Sequence, residues 1–524
     1  MKAFIFALLV ATSVPALGQG ASEHAGHADT AAPKAATILD GYGAGGFKVD
    51  TANPEAQAFF NNGMQLAHAF AHDASIGAMK EAVRLDPKCA MCRWGEAWAS
   101  GPTINYELDA SQLALAIKLA AKAKRMARAK GSPLERALTN ALVRRYRNGG
   151  GGKPGDLAFA QTMERLAAAN PASDVIATLA ADAWMQAPSG DEDVDGGQLY
   201  RENNARAVAL LEPVLARNPS YSPAIHFYIH STEESGVGPK AEPFADRLGA
   251  LAPKSQHLVH MPSHTLYWVG RYADAARVNR RAVEIGIAQS QLLTGKQPDG
   301  VWGLPYHAHN VTFGLGGALM AGDAETALWL GRPLVEKATT QTKAGAFAQA
   351  LGGSGYIALA EFAEPIEVLK VMPPRLPYLL GMWRYARAEA RARQGDIRSL
   401  RAEAAAIIIP AGEKKEDGSW QGGQTLRIAK EVLEARALMM ERKPVEAVMA
   451  FRRGAELQEQ AYYSKAADPP LWWFPVRRSL AEAQLAAGDH VAARSEAEAT
   501  LKVRPKDPGA LALLAKLEAL GGAR

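Results

Sequence analysis

The residues with most chemical reach are histidines. His226 and His230 lie in PSYSPAIHFYIH (219–230), and His257, His260 and His264 lie in SQHLVHMPSHTLYWVGRYADAA (255–276). Imidazole is the commonest side-chain ligand for zinc, copper, iron and nickel. A pair spaced i, i+4 puts both rings on one helix face. His226/His230 and His260/His264 both have that spacing, and all three histidines of the second stretch read as one helix.

The distances between the stretches set the architecture. His226 to His260 is 34 residues, as are His230 to His264 and Pro219 to Pro253. A period of about 34 belongs to the tetratricopeptide repeat, a helix–turn–helix unit. Two successive repeats therefore carry a histidine pair at equivalent positions. Neighbouring helices pack roughly 8–10 Å apart, so the pairs are expected to share one ion or a close pair of ions.

Nine of the 12 histidines fall between 68 and 309, with His68, His72, His307 and His309 completing the set. His68 and His72 form another i, i+4 pair. The short His307-x-His309 spacing puts those rings on different helix faces. Each of the nine sits on, or at the mouth of, a first helix, the element that lines the concave side of such an array. At the last repeat the positions of His260 and His264 hold Arg478 and Glu482. Glu233, Glu234 and Glu96 are candidate carboxylate partners that hold an imidazole tautomer or bind the ion directly. Tyr228, Tyr267 and Tyr306 are close enough in sequence to line the pocket. Cys89 and Cys92 are the only cysteines. They are open to three readings: a disulfide or inert pair, a soft metal site, or thiol redox chemistry. Haem attachment is excluded, because Arg93 follows Cys92 where C-x-x-C-H needs histidine.

These residues need helices to place them, and the chain supplies little else. Phe59, Gly63, Leu66, Ala67 and Phe70 make one apolar stripe; Ile76, Met79, Val83 and Leu85 make a second, closed by Asp86-Pro87. Proline cannot continue a helix. A helix with Trp94 and Trp98 follows near Cys89, then a long one at 110–129. Ser132-x-x-Glu135 is a capping box. Pro305 opens a helix carrying Tyr306, His307 and His309. Gly-Asp turns recur at Gly322-Asp323, Gly395-Asp396 and Gly488-Asp489. The run NGGGGKPG (148–155) reads as a flexible break, because Lys153 is followed by Pro154 and the phosphate-loop pattern fails. SGDEDVDGG (189–197) lacks calcium-loop spacing and reads as a solvated loop. An all-α superhelical solenoid of antiparallel helix pairs is expected.

FNNGMQLAHAFAHDASIGAMKEAVRLDPKCAMCRWGEAWASGPTIN resembles the opening of a bacterial family of exported tetratricopeptide-repeat proteins marked by HLVHMPSH and C-x-x-C motifs. HLVHMPSHTLYWVGRYADAA, YHAHN and PPLWWFPVRRSL are similar to the same family further on, so the resemblance spans most of residues 55–520. It implies the repeat fold and no particular activity.

Residues 1–18 read as a secretory signal: Lys2, an apolar run Ala3–Val10, then small residues at Ala16 and Gly18. Residues 19–50, rich in Ala, Gly and His and including His24 and His27, read as a disordered leader. Residues 51–330 then form a repeat array carrying the His/Cys cluster, and 331–524 a second array with its cap. The expected location is periplasmic or secreted. The net charge of +5 is dispersed over the chain, so no nucleic-acid partner follows, and the basic stretch KLAAKAKRMARAKG is a solvated helix face. After the N-terminal run no apolar stretch of about 20 residues follows, so no integral membrane protein is expected. H-E-x-x-H and G-x-S-x-G are absent, and without strands there is no dinucleotide fold and no nucleotide cofactor. Two functions remain: a copper, iron or zinc protein that acts as a metal-dependent oxidoreductase or handles metal, or a non-catalytic scaffold holding a peptide or envelope protein in its groove.

Overall fold

The computed structural model describes residues 37–105, 107–147, 153–188, 197–294, 299–464 and 468–522. The signal read at 1–18, the histidines His24 and His27, most of the 148–155 break and nearly all of the 189–197 loop lie outside them. The fold is all-α and built of consecutive helix pairs of the tetratricopeptide kind. It divides into two compact units, one ending at Thr265 and the other beginning at Leu266. The division drawn from sequence after 330 is a different cut.

The first unit runs α1 (Pro54–His68), α2 (His72–Leu85), α3 (Ala90–Ala99), α4 (Ala110–Lys130), α5 (Pro133–Arg145), α6 (Lys153–Ala169), α7 (Asp174–Met185), α8 (Gln198–Arg217), α9 (Ser222–Glu234), α10 (Glu242–Leu251), α11 (Gln256–His260) and the part of α12 (Pro262–Trp268) up to Thr265. Short turns join most neighbours, so each helix packs against the next. Asn53 caps α1 by accepting from the amides of Glu55 and Ala56, with Pro54 in the first turn. Ser132 and Glu135 make the reciprocal capping box on α5, as the sequence implies. Gly63 of α1 and Gly95 of α3 both face Met79 of α2; a methyl on either would come within 2.7 Å of it. Glycine at these two positions lets three helices close around one side chain. On α4, Lys118, Lys122, Lys124, Arg125 and Arg128 all stand in solvent.

Two sequence expectations change here. Residues 37–50 were expected within a disordered leader, yet they are laid on the array. Phe47 packs edge-on to Phe60 (5.2 Å), the Leu39 amide donates to Asn62 (3.0 Å), and the Ala44 amide donates to Ser222 Oγ (2.7 Å). The Gly-rich composition hid a segment held by backbone amides rather than by apolar bulk. Second, His257, His260 and His264 do not share one helix. α11 ends at His260, and Pro262, with no amide hydrogen to donate, starts α12. After the Gly270 turn, α13 (Tyr272–Thr294) follows in the second unit.

The second unit repeats the pattern from α13 through α14 (His307–Ala321) and α15 (Ala324–Thr340) to the C-terminal helix Pro508–Gly522. Its Gly-Asp turns work as a tandem device. Gly322 adopts φ +71° to end α14, and Asp323 then accepts from the Thr326 amide to start α15. The pattern recurs at Gly395-Asp396 and Gly488-Asp489. No helix among the described residues is long and apolar enough to cross a membrane.

Candidate metal centre

The first unit gathers five histidine rings from α9, α11 and α12. His226 and His260 are fully buried, His257 and His264 nearly so, and His230 partly. The Nε2 atoms of His226 and His257 are 3.0 Å apart. One ligand nitrogen each from His226, His230 and His257 can be chosen so that all three lie within 4.8 Å of one another. The Nε2 atoms of His260 and His264 are likewise 3.0 Å apart. The two groups adjoin: ring centroids of His230 and His264 are 5.5 Å apart, and those of His257 and His260 6.0 Å.

The pairing differs from the sequence register. His226 meets His257, not its repeat-equivalent His260. The break at Met261-Pro262 separates His257 from His264 along the chain, so each takes a different neighbour. Equivalence in a repeat fixes backbone position; ring direction depends on the local helix axis, and that axis changes at the proline.

The surroundings hold individual tautomers. His226 Nδ1 lies 2.7 Å from the carbonyl of His68, which only accepts, so Nδ1 carries the proton and Nε2 a lone pair. His264 Nδ1 lies 2.8 Å from Glu233 Oε2. Burial pushes His226 down to about 3, and the adjacent His68, His264 and His72 add to the shift despite the opposing carbonyl bond. Its ring is therefore neutral at physiological pH, as a metal ligand must be.

Phe70 was not singled out for this site by sequence, yet it is central. It follows α1 in the left-handed region, φ +56°. There its ring stacks on His257 (centroids 4.7 Å) and meets His226 edge-on (4.5 Å). A bulky side chain at positive φ is strained, and the turn is held by the Ala71 amide donating to the Leu66 carbonyl (2.9 Å). The signal in the sequence was the position of Phe70 between His68 and His72 in LAHAFAHD.

The remaining candidates have the following surroundings. His68 offers its carbonyl, while its ring packs against Trp98 (5.4 Å) and Phe227 (5.8 Å). Burial pushes it to about 3. His72 stacks on Phe70 (5.4 Å) and is pushed to about 4, again by burial. Both line a narrow cleft with Phe70, Trp98, Asp182 and Phe227, where burial raises the Asp182 carboxyl to about 6. Cys89 and Cys92 are joined in a buried disulfide, which removes them as metal ligands. Glu96 pairs with Arg93 (2.5 Å). The Tyr228 hydroxyl donates to Glu212 (3.2 Å) and its ring meets Phe244 edge-on (5.7 Å). In the second unit, His307 stands edge-on to Trp302 (4.7 Å) and is pushed to about 4 by burial, with Lys337 adding to it. His309 lies against Phe313 (5.0 Å). Tyr306 is the N-cap of α14. Tyr267 packs among Trp268, Tyr272 and Phe313.

No family model matches this chain, and no curated protein matches it. Among solved structures it is similar to the APC/C Cut9–Hcn1 hetero-tetramer, at 14% identity over 90% of this chain and 78% of that one, with a TM-score of 0.29. It is also similar to yeast Tom70, at 11% identity over 89% of each chain, with a TM-score of 0.27. Superposition is that weak over most of the length, so the fold rests on this chain's own helix pairing.

Proposed function

We propose that the first unit binds a transition-metal ion through His226, His230 and His257, and that the protein is a metal-dependent one of the exported cell envelope. The observation that carries this is the 3.0 Å approach of the His226 and His257 Nε2 atoms with a His230 nitrogen close by. Imidazole nitrogens in such a group suit copper, iron or zinc. Three imidazoles leave coordination positions for oxygen, water or a substrate. Within this reading the protein is an oxidoreductase working with copper or iron, or a metal-handling protein. A cysteine pair able to form a disulfide and the signal-like residues 1–18 support a periplasmic or secreted location.

The second reading is a scaffold that holds a peptide or envelope protein, with the histidines as buried packing. Arrays of helix pairs present extended surfaces of that kind. Metal analysis of untagged protein separates the two. The first predicts bound copper, iron or zinc, with the equivalent held by His226, His230 and His257 lost in His226→Ala/His257→Ala. A folded protein that takes up no metal leaves only the scaffold.

A further inference from the structure

We infer a second, separate transition-metal site formed by His260 and His264, beside the first. This deepens the metal reading above, but its evidence is a different set of hydrogen bonds.

Proton positions on the two rings set which nitrogens face each other. His264 Nδ1 lies 2.8 Å from Glu233 Oε2. An ionised carboxylate only accepts, so Nδ1 carries the hydrogen and Nε2 of the neutral ring carries a lone pair. Ser263 Oγ lies 2.8 Å from the His260 carbonyl and 3.3 Å from His260 Nδ1. A hydroxyl has one proton. The carbonyl takes it over the shorter contact, so a hydroxyl lone pair faces Nδ1. An Nδ1–H of His260 donating to that lone pair turns the Nε2 lone pair toward His264.

The two Nε2 atoms converge at 3.0 Å. That spacing lets one ring donate to the other in the metal-free protein, and it lets both nitrogens bind one cation once that proton leaves. A first-row transition metal is the class that imidazole nitrogens select. Glu233 and Ser263 are positioning residues: each fixes a tautomer through Nδ1 and aims Nε2 at the ion. The site adjoins the first through the His230–His264 and His257–His260 ring contacts, so the unit holds a pair of ions.

Stoichiometry tests this. Metal-free, untagged full-length protein is titrated with Cu(II), and in parallel with Zn(II), and bound metal is counted after gel filtration. Two equivalents are expected for the wild type. One is expected for His260→Ala/His264→Ala and one for His226→Ala/His257→Ala. Glu233→Gln keeps both rings and is expected to retain two sites, one of them weakened roughly 10–100-fold. One equivalent in the wild type, kept in His260→Ala/His264→Ala, overturns the second site and leaves the first. Loss of all metal in either double variant, with helicity unchanged by circular dichroism, means one shared ion and also overturns it. No metal in the wild type overturns the first reading as well.

Discussion

Glu233 Oε2 sits 2.8 Å from His264 Nδ1, joining the end of α9 to α12 across a chain separation of 31 residues. The carboxylate decides which ring nitrogen of His264 is free to bind, and it raises the basicity of that nitrogen.

From this contact a pH effect follows for binding. In Glu233→Gln the neutral amide holds Nδ1–H less strongly, so uptake of the second equivalent is expected to need higher pH than in the wild type. Metal titrations at pH 6, 7 and 8 check it. Parallel curves for the two proteins would show that Glu233 does not act through His264.

Buried histidines make the metal-free protein acid-sensitive. His68 is held at about 3 and His72 at about 4, against 6.5 when exposed. The unfolded chain therefore binds more protons between those values. The stability these neutral rings represent is complete above about pH 6.5 and is lost as pH falls toward 4 and then 3. At pH 5 the loss is on the order of 2 kcal/mol per ring. Urea midpoints of metal-free protein at pH 7.5 and 5 measure it, with His68→Phe expected to reduce the difference.

Phe70 sets two effects against each other. Replacing it with glycine relieves positive-φ strain of about 1–3 kcal/mol. It also removes a buried ring, at about 3–5 kcal/mol. The ring should win: Phe70→Gly is expected to be net destabilising and to lower metal affinity, since the stack on His257 is gone. A variant as stable as the wild type that binds metal normally would show that the ring does not support the site.

In the second unit, Gly270→Ala and Gly322→Ala form a matched pair. Both glycines have positive φ, +78° and +71°. A methyl on Gly322 meets nothing within 4 Å, so only the conformational cost of about 1 kcal/mol applies. A methyl on Gly270 would lie 2.1 Å from the Pro505 carbonyl oxygen, and backbone cannot step aside as a side chain does. Thermal melts are expected to rank Gly270→Ala well below Gly322→Ala; equal melting points would contradict the close approach.

The sequence by itself determined the helices, their period and most of their ends. The 34-residue spacing of the histidine pairs, the Ser132/Glu135 box and the Gly-Asp turns are local signals, and each is carried by residues within one or two turns of the effect. It also determined that histidines concentrate in the first part of the chain. Tertiary structure alone decided which rings meet. His226 reaches His257 because Pro262 breaks the helix that the register argument treated as continuous. Phe70 enters the cluster because α1 ends in a left-handed turn. The choice among readings of Cys89 and Cys92, and the anchoring of residues 37–50, also depended on contacts far apart in the chain. Periodicity encodes which face of a helix a residue occupies; the nitrogen that meets another nitrogen is set by rotamers and helix axes, which exist only once the helices have packed.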